Sequence, residues 1–169
     1  MINFENKKVL FIDLDGTLIK TVSGKTFPED ITDFRIQFSV LDKIIEKLPN
    51  LKQFCIITNQ GGIGKFVTKE DFELKLFCIK QFCSDYLKRK INLCFYGSYY
   101  CASIDKNNPN RKPNTGLLEQ ACANYNVAKS DMIMIGDASG KPGDFSDSDK
   151  KCAENFDIDY IDVRDFLEL

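Results

Sequence analysis

A chain of 169 residues with 43% hydrophobic content carries enough apolar side chain to bury one core without disulfides or a structural metal, so a single domain over residues 1–169 is expected. A formal net charge of -2 argues against a protein that coats long nucleic acid by bulk charge, and the absence of histidine removes serine–histidine and cysteine–histidine catalysis. No apolar run reaches the roughly 18 residues that a bilayer span needs, and MINFENKKVL lacks the apolar stretch of a secretory signal, so a soluble, cytoplasmic protein with no membrane partner is expected.

Residues 8–13 (KVLFID) read as a buried strand, and the Gly-, Thr- and Pro-bearing segment that follows reads as turns or a small flap. VLDKIIEKL places Val40, Ile44 and Leu48 on one helical face, with Pro49 ending it. FCIITN (54–59) is a second buried strand that runs into the glycine-rich GGIG. Residues 69–90 repeat apolar side chains at helical spacing, 93–98 (LCFYGS) form a third strand, and GLLEQACANYNV (116–127) forms a further helix. MIMIGD (132–137) is a fourth strand, DKKCAEN a short helix and DIDYIDV a fifth strand. The alternation predicts an α/β fold, a Rossmann-like, mainly parallel sheet with helices on both faces and the ligand beyond the carboxyl ends of the strands. The long irregular stretch 98–116 is expected to be functional or disordered. Seven scattered cysteines, with no C-x-x-C pair, are expected to be reduced and to pack as small hydrophobes.

The polar residues at the predicted strand ends carry the chemistry. Asp13 and Asp15 in DLDGT would face the same way if the strand geometry persisted, and their repulsion lets one carboxylate attack while the other holds a proton. The plainer reading is an Asp-Gly turn after a strand. Thr58, Asn59 and the glycines up to Gly64 offer a hydroxyl and backbone N–H groups to an anion, or form only a turn. Lys112 can neutralise phosphate oxygens, or be a solvated loop lysine. Asp137 closes an apolar strand, and a magnesium ion shared between Asp13 and Asp137 explains acids at the ends of two strands. Among the later acids, Asp144, Asp147 and Asp149 could be a solvated turn, a helix cap or support for the metal and lysine; Asp149 ranks first because it opens DKKCAEN, and Asp144 second.

This order of residues resembles the haloacid dehalogenase superfamily. The resemblance implies Asp13 as nucleophile and metal ligand, Asp15 as acid/base and backbone metal ligand, Thr58 and Lys112 as phosphoryl-holding groups, Asp137 as metal ligand with Asp149 in support, and Mg2+ as cofactor. The segments FIDLDGTLIKTVSGKTFPEDITDFRI, ITNQGGIGKF, RKPNTG and GDASGKP with DFSDSD are more specifically similar to polynucleotide 3'-phosphatases. SGKTFP and DFR discriminate best, because TNQ and RKP also occur in histidinol-phosphate and heptose-bisphosphate phosphatases. The cysteine-rich zinc loop usual in those sugar-phosphate relatives is missing, since the stretch before RKP has only Cys101. In the family an arginine commonly follows GIG, whereas this chain has Lys65, which meets a phosphate without a bidentate fork. No G-x-x-x-x-G-K-[ST] element accompanies these segments, and no inserted cap is expected.

The resemblance therefore implies 3'-phosphorylated DNA ends as the substrate, with Asn59, Gly64, Lys65, Arg35, Phe34 and Arg111 as candidate strand contacts. A phosphatase of small sugar or nucleotide phosphates, and a catalytically weak protein that binds nucleic-acid ends, are the alternatives. No protein partner can be inferred.

Overall fold

Apolar at all four positions, the strand β1 (Val9–Ile12) is buried at all four, which requires cover on both sheet faces. The computed structural model describes residues 2–25, 28, 30–123 and 126–169. In it β1 is the central strand of a five-stranded sheet, flanked by β4 (Gln53–Asn59) and β6 (Met132–Gly136), with β5 (Phe95–Cys101) and β7 (Asp159–Asp162) outside them. Every pairing is parallel, and Leu10 stands between Phe54 and Ile133.

Strand alternation divides the core into two layers. Leu10, Ile12, Phe54, Ile56, Ile133 and Ile135 face α1 (Phe38–Lys47), α2 (Lys69–Lys88) and α5 (Val163–Leu167). Val9, Phe11, Cys55, Ile57, Met132 and Met134 face α3 (Gly116–Cys122) and α4 (Ser148–Phe156). This is the expected Rossmann-like arrangement. All seven cysteines are free, and burial pushes the thiols of Cys55, Cys83 and Cys152 up to about 12, so they stay protonated and pack as hydrophobes. Among the described residues no helix is long and apolar enough to cross a membrane.

The bounds differ from expectation in four places. The flap contains a two-stranded antiparallel ribbon, β2 (Ile19–Lys20) with β3 (Arg35–Ile36), too short to give a period-two signal. β5 runs on to Cys101 rather than ending at Ser98, because Tyr99 and Tyr100 continue the ladder with Ile57 and Thr58. α3 ends at Cys122; Asn124 and Tyr125, inside the expected helix, lie outside the described residues. After β7 the sequence read as strand turns into α5, where Asp162 accepts a hydrogen bond from the Arg164 N–H as N-cap.

Candidate active site

The parallel sheet delivers its acids to one rim. Asp13 extends β1 by one residue, its N–H donating to the Ile135 carbonyl at 3.0 Å. The chain then turns tightly at Gly16, whose φ of +82° suits glycine alone. A Cβ there would stand 2.0 Å from Asp137 Oδ2, so the close approach of DLDGT to the end of β6 needs this glycine.

Lys112, on the loop between β5 and α3, crosses to this rim with its side chain buried. Its Nζ lies 2.5 Å from Asp13 Oδ1 and 2.8 Å from Asp149 Oδ1, and donates to the Ile57 carbonyl at 2.8 Å. Asn59 fixes the lysine's backbone from the end of β4, accepting from the Lys112 N–H and donating to its carbonyl, both at 3.0 Å. Burial alone would discharge Lys112, but Asp13 and Asp149 override it and hold its pKa above the usual lysine value. The two carboxylates therefore favour the charged form of the lysine.

The carboxylates are crowded in the opposite sense. Burial raises the Asp13 pKa well above the ordinary carboxylate range against the pull of Lys112, and the charges of Asp149 and Asp137 add to the rise. Asp137 is raised to about 6, first by burial and then by Asp149. Asp13, Asp137 and Asp149 each direct one carboxylate oxygen so that the three lie within 4.8 Å of one another. Asp149 Oδ1 is buried and, despite its ion pair with Lys112, lacks an aligned hydrogen bond, so it retains a lone pair. Converging oxygen donors with excess negative charge fit a hard divalent cation such as magnesium.

Asp15 stands apart from that triad. Its Oδ2 accepts from Gln60 Nε2 at 2.6 Å, and the same amide nitrogen donates to the buried Thr58 Oγ1 at 2.9 Å. Gln60 thus links the second aspartate to the threonine, a role the individual reading of Thr58 and Asn59 missed although the TNQ segment contained it. Of the two later acids, Asp149 joins the centre while Asp144 serves its loop. Asp144 Oδ2 accepts from the N–H groups of Ser139 and Lys141 and from Ser139 Oγ, and Oδ1 pairs with Arg164 at 2.8 Å. Asp147 pairs with Lys151 on the surface.

The candidate strand contacts lie on three separate segments: the ribbon after β1, the turn after β4 and the loop between β5 and α3. Gly64 adopts φ +82° in the turn after β4, and Lys65 beside it is exposed. Arg35 is exposed on β3; neither Lys65 nor Arg35 makes an ion pair among the described residues. Arg111 Nη1 donates to the Ser103 carbonyl at 2.8 Å, pinning the loop beside Gly61. Phe34 packs on the core and presents its ring to Lys75 of α2, a buried lysine that the helical reading absorbed without comment. Of the discriminating segments, DFR is described in full, with Asp33 accepting from the Ser23 N–H at 2.8 Å and Ser23 Oγ at 2.7 Å. In SGKTFP, Thr26 and Phe27 lie outside the described residues.

Comparison with known proteins agrees with this geometry. The chain is 32% identical over 167 residues to a bifunctional polynucleotide phosphatase/kinase of Schizosaccharomyces pombe, covering 96% of this chain but only 38% of that protein. It is 30% identical over 141 residues to a probable D-glycero-D-manno-heptose-1,7-bisphosphate 7-phosphatase of Thermoplasma volcanium, covering 82% of this chain and 91% of that one. In fold it matches the D,D-heptose 1.7-bisphosphate phosphatase of B. bronchiseptica, whose structure holds magnesium and phosphate, with a TM-score of 0.62 at 14% identity over 95% of this chain and 96% of that chain. The family model described as polynucleotide kinase 3 phosphatase matches residues 8–166, and the chain belongs to that family, a branch of the haloacid dehalogenase-like phosphatases.

Proposed function

We propose that this phosphatase is magnesium-dependent, forms an aspartyl-phosphate on Asp13 and removes 3'-phosphate from DNA ends. The observation that carries the mechanism is the division of labour between the two aspartates: Asp13 is clamped by Lys112 among the converging carboxylates, while Asp15 is held away by Gln60. An Asp13 carboxylate oxygen attacks phosphorus, the bond to the ester oxygen breaks, and Asp15 gives its proton to that oxygen. Lys112 and the Thr58 hydroxyl bind the oxygens of the transferred group. Asp15 then takes a proton from water, whose oxygen attacks the phosphorus of the aspartyl-phosphate, releasing inorganic phosphate and restoring Asp13. Asp13 and Asp137, with Asp149 in support and the Asp15 backbone carbonyl, would hold a magnesium ion, which would neutralise charge between carboxylate and phosphate.

The family match across residues 8–166 supports the DNA end as substrate. The likeness to the T. volcanium protein favours a second reading, a phosphatase of small sugar phosphates. Competition between a 3'-phosphorylated oligonucleotide and a panel of sugar phosphates separates them. The DNA reading expects a much higher kcat/KM for the strand, and equal or better cleavage of the sugars overturns it. Asp13→Asn should abolish turnover, and chelation should do so reversibly; full activity in excess chelator would sink the mechanism.

A further inference from the structure

Asp137 and Asp149, the two acids that converge with Asp13, are the two ends of one loop, 137–149, and a short set of hydrogen bonds fixes their separation. The far end closes on Ala138: the N–H groups of Asp149 and Lys150 both donate to its carbonyl at 3.2 Å, and Asp149 Oδ2 accepts from its N–H at 3.1 Å. The next N–H, that of Ser139, is shared between the Asp137 carbonyl and Asp144 Oδ2, each at 3.1 Å. Asp144 Oδ2 also accepts from Ser139 Oγ at 2.8 Å and from the Lys141 N–H at 2.9 Å. The backbone between the two metal acids therefore depends on Asp144 staying in place.

Arg164 keeps it there. Its Nη2 lies 2.8 Å from Asp144 Oδ1 and 2.5 Å from Asp162 Oδ2, and its Nε donates to Asp162 Oδ1 at 2.8 Å. Asp162 ends β7 in register with Gly136, the residue before Asp137, so it is a fixed point of the sheet. The side chains of Asp144 and Asp162 are only 4% and 2% exposed. One planar guanidinium thus ties the loop to the sheet through two desolvated carboxylates, which a single ammonium is less able to fork. Lys141 Nζ stands 2.6 Å from Asp165 and 3.8 Å from Asp162, and forms no ion pair with Asp144 among the described residues. Without Arg164, Asp144 would lose its counter-charge, and the loop could satisfy it only by moving it towards water.

We propose that Arg164 is a positioning residue for the metal site: by clasping Asp144 to Asp162 it sets Asp137 and Asp149 for a magnesium ion before the ion arrives. This role rests on the magnesium reading above. Arg164 touches neither ion nor substrate and acts through Asp144, Ser139 and the loop they hold. The clasp and simple charge predict opposite signs. Deleting a cation near an acidic site makes its field more negative and by Coulomb attraction alone would tighten a divalent cation, whereas loosening the loop weakens it.

The test is calorimetric titration of magnesium chloride into the full chain, stripped of metal and without substrate. Arg164→Met should raise the magnesium Kd by about 10-fold, the lower end of what outer partners of metal ligands contribute, and Arg164→Lys should fall between it and the parent. Saturating magnesium should restore most of the turnover that Arg164→Met loses at low magnesium. Lys141→Met, which deletes a neighbouring cation outside the clasp, should not raise the Kd. An unchanged or lower Kd in Arg164→Met, or an equal rise in Lys141→Met, overturns the proposal. Should Arg164→Met fail to fold, Ser139→Ala cuts one bond to Asp144 with every charge kept and should raise the Kd about 3-fold, the scale of a lost hydrogen bond; an unchanged Kd there overturns the proposal too. In chelator, amide exchange at Ser139 and Lys141 should quicken by roughly 10-fold in Arg164→Met, and equal protection refutes the clasp whatever the metal does. A parent protein that takes up no magnesium fails the metal reading and this role with it, whereas normal uptake by the parent with unaltered variants fails the clasp alone.

Discussion

Lys112→Met removes a charge and keeps most of the side-chain length, so it isolates what the ammonium does for the folded state. In the native protein this one cation faces Asp13 at 2.5 Å and Asp149 at 2.8 Å, with side chains that are 2%, 10% and 2% exposed for the lysine and the two acids respectively. Breaking a buried pair by deleting one partner costs about 3–5 kcal/mol, because the charge left behind stays desolvated. For a domain of this size each kcal/mol lowers Tm by roughly 2–4 °C, giving an expected fall of about 6–20 °C in the presence of chelator. Magnesium should return part of that loss by facing the same two carboxylates. Asp13→Asn added to Lys112→Met should also return part of it, with a coupling of about 0.5–3 kcal/mol. Urea unfolding followed by far-UV circular dichroism, with the m-value unchanged, reads these differences directly. A Lys112→Met protein within about 1 kcal/mol of the parent in chelator, or strictly additive substitutions, would refute the picture of a lysine neutralising a buried carboxylate cluster.

Asp15→Asn should reduce hydrolysis of an alkyl phosphate by about 10²- to 10⁴-fold and of an activated aryl phosphate far less, and equal losses would assign Asp15 to metal geometry instead. Gln60→Leu releases both Asp15 and Thr58 and should cost about 10-fold on the alkyl substrate, the scale of one lost hydrogen bond; an unchanged rate would separate Gln60 from the acid. Because the folded pKa of Asp137 is raised from 3.8 to about 6, its contribution to stability in chelator is fully present below 3.8 and is lost as pH rises through about 6. Asp13 is shifted in the same direction. Asp137→Asn should therefore flatten the pH dependence of urea stability across that window, and an unaltered slope would contradict the crowding. Cleavage of a 3'-phosphorylated oligonucleotide should weaken with salt with a log–log slope near about -2 if roughly three backbone phosphates are gripped. Lys65→Ala should flatten it by less than about one unit; a mononucleotide with the same salt response would count against strand contacts.

The parts of this architecture that announce themselves in sequence are the ones whose local pattern is also their tertiary role. FCII and MIMI are apolar throughout because both faces of a central parallel strand are covered, and the polar residues that end these strands, Thr58 and Asn59 in one and Asp137 in the other, stand out against that background. α5 escaped notice because its first residue continues an apolar strand run and only the Asp162 cap marks the change. Lys75 was concealed by averaging: one lysine among the apolar side chains of a long amphipathic helix looks like noise until its burial against the Phe34 ring is visible. The choice of Asp149 over Asp144 could be ranked from the helix start, but their division of labour depends on Lys112 and Arg164 arriving from distant elements.

The strand order β5-β4-β1-β6-β7 has a consequence for synthesis of the chain. The middle of the sheet is made first, and its β6 edge is closed only after Met132–Gly136 has left the ribosome. Until then β1 can pair with β4 alone, and its other edge offers unpaired N–H and carbonyl groups along an apolar ribbon. A message truncated before β6 would therefore yield a sticky three-stranded fragment that also lacks Asp137. Such fragments would be work for chaperones and proteases, not slow versions of the enzyme.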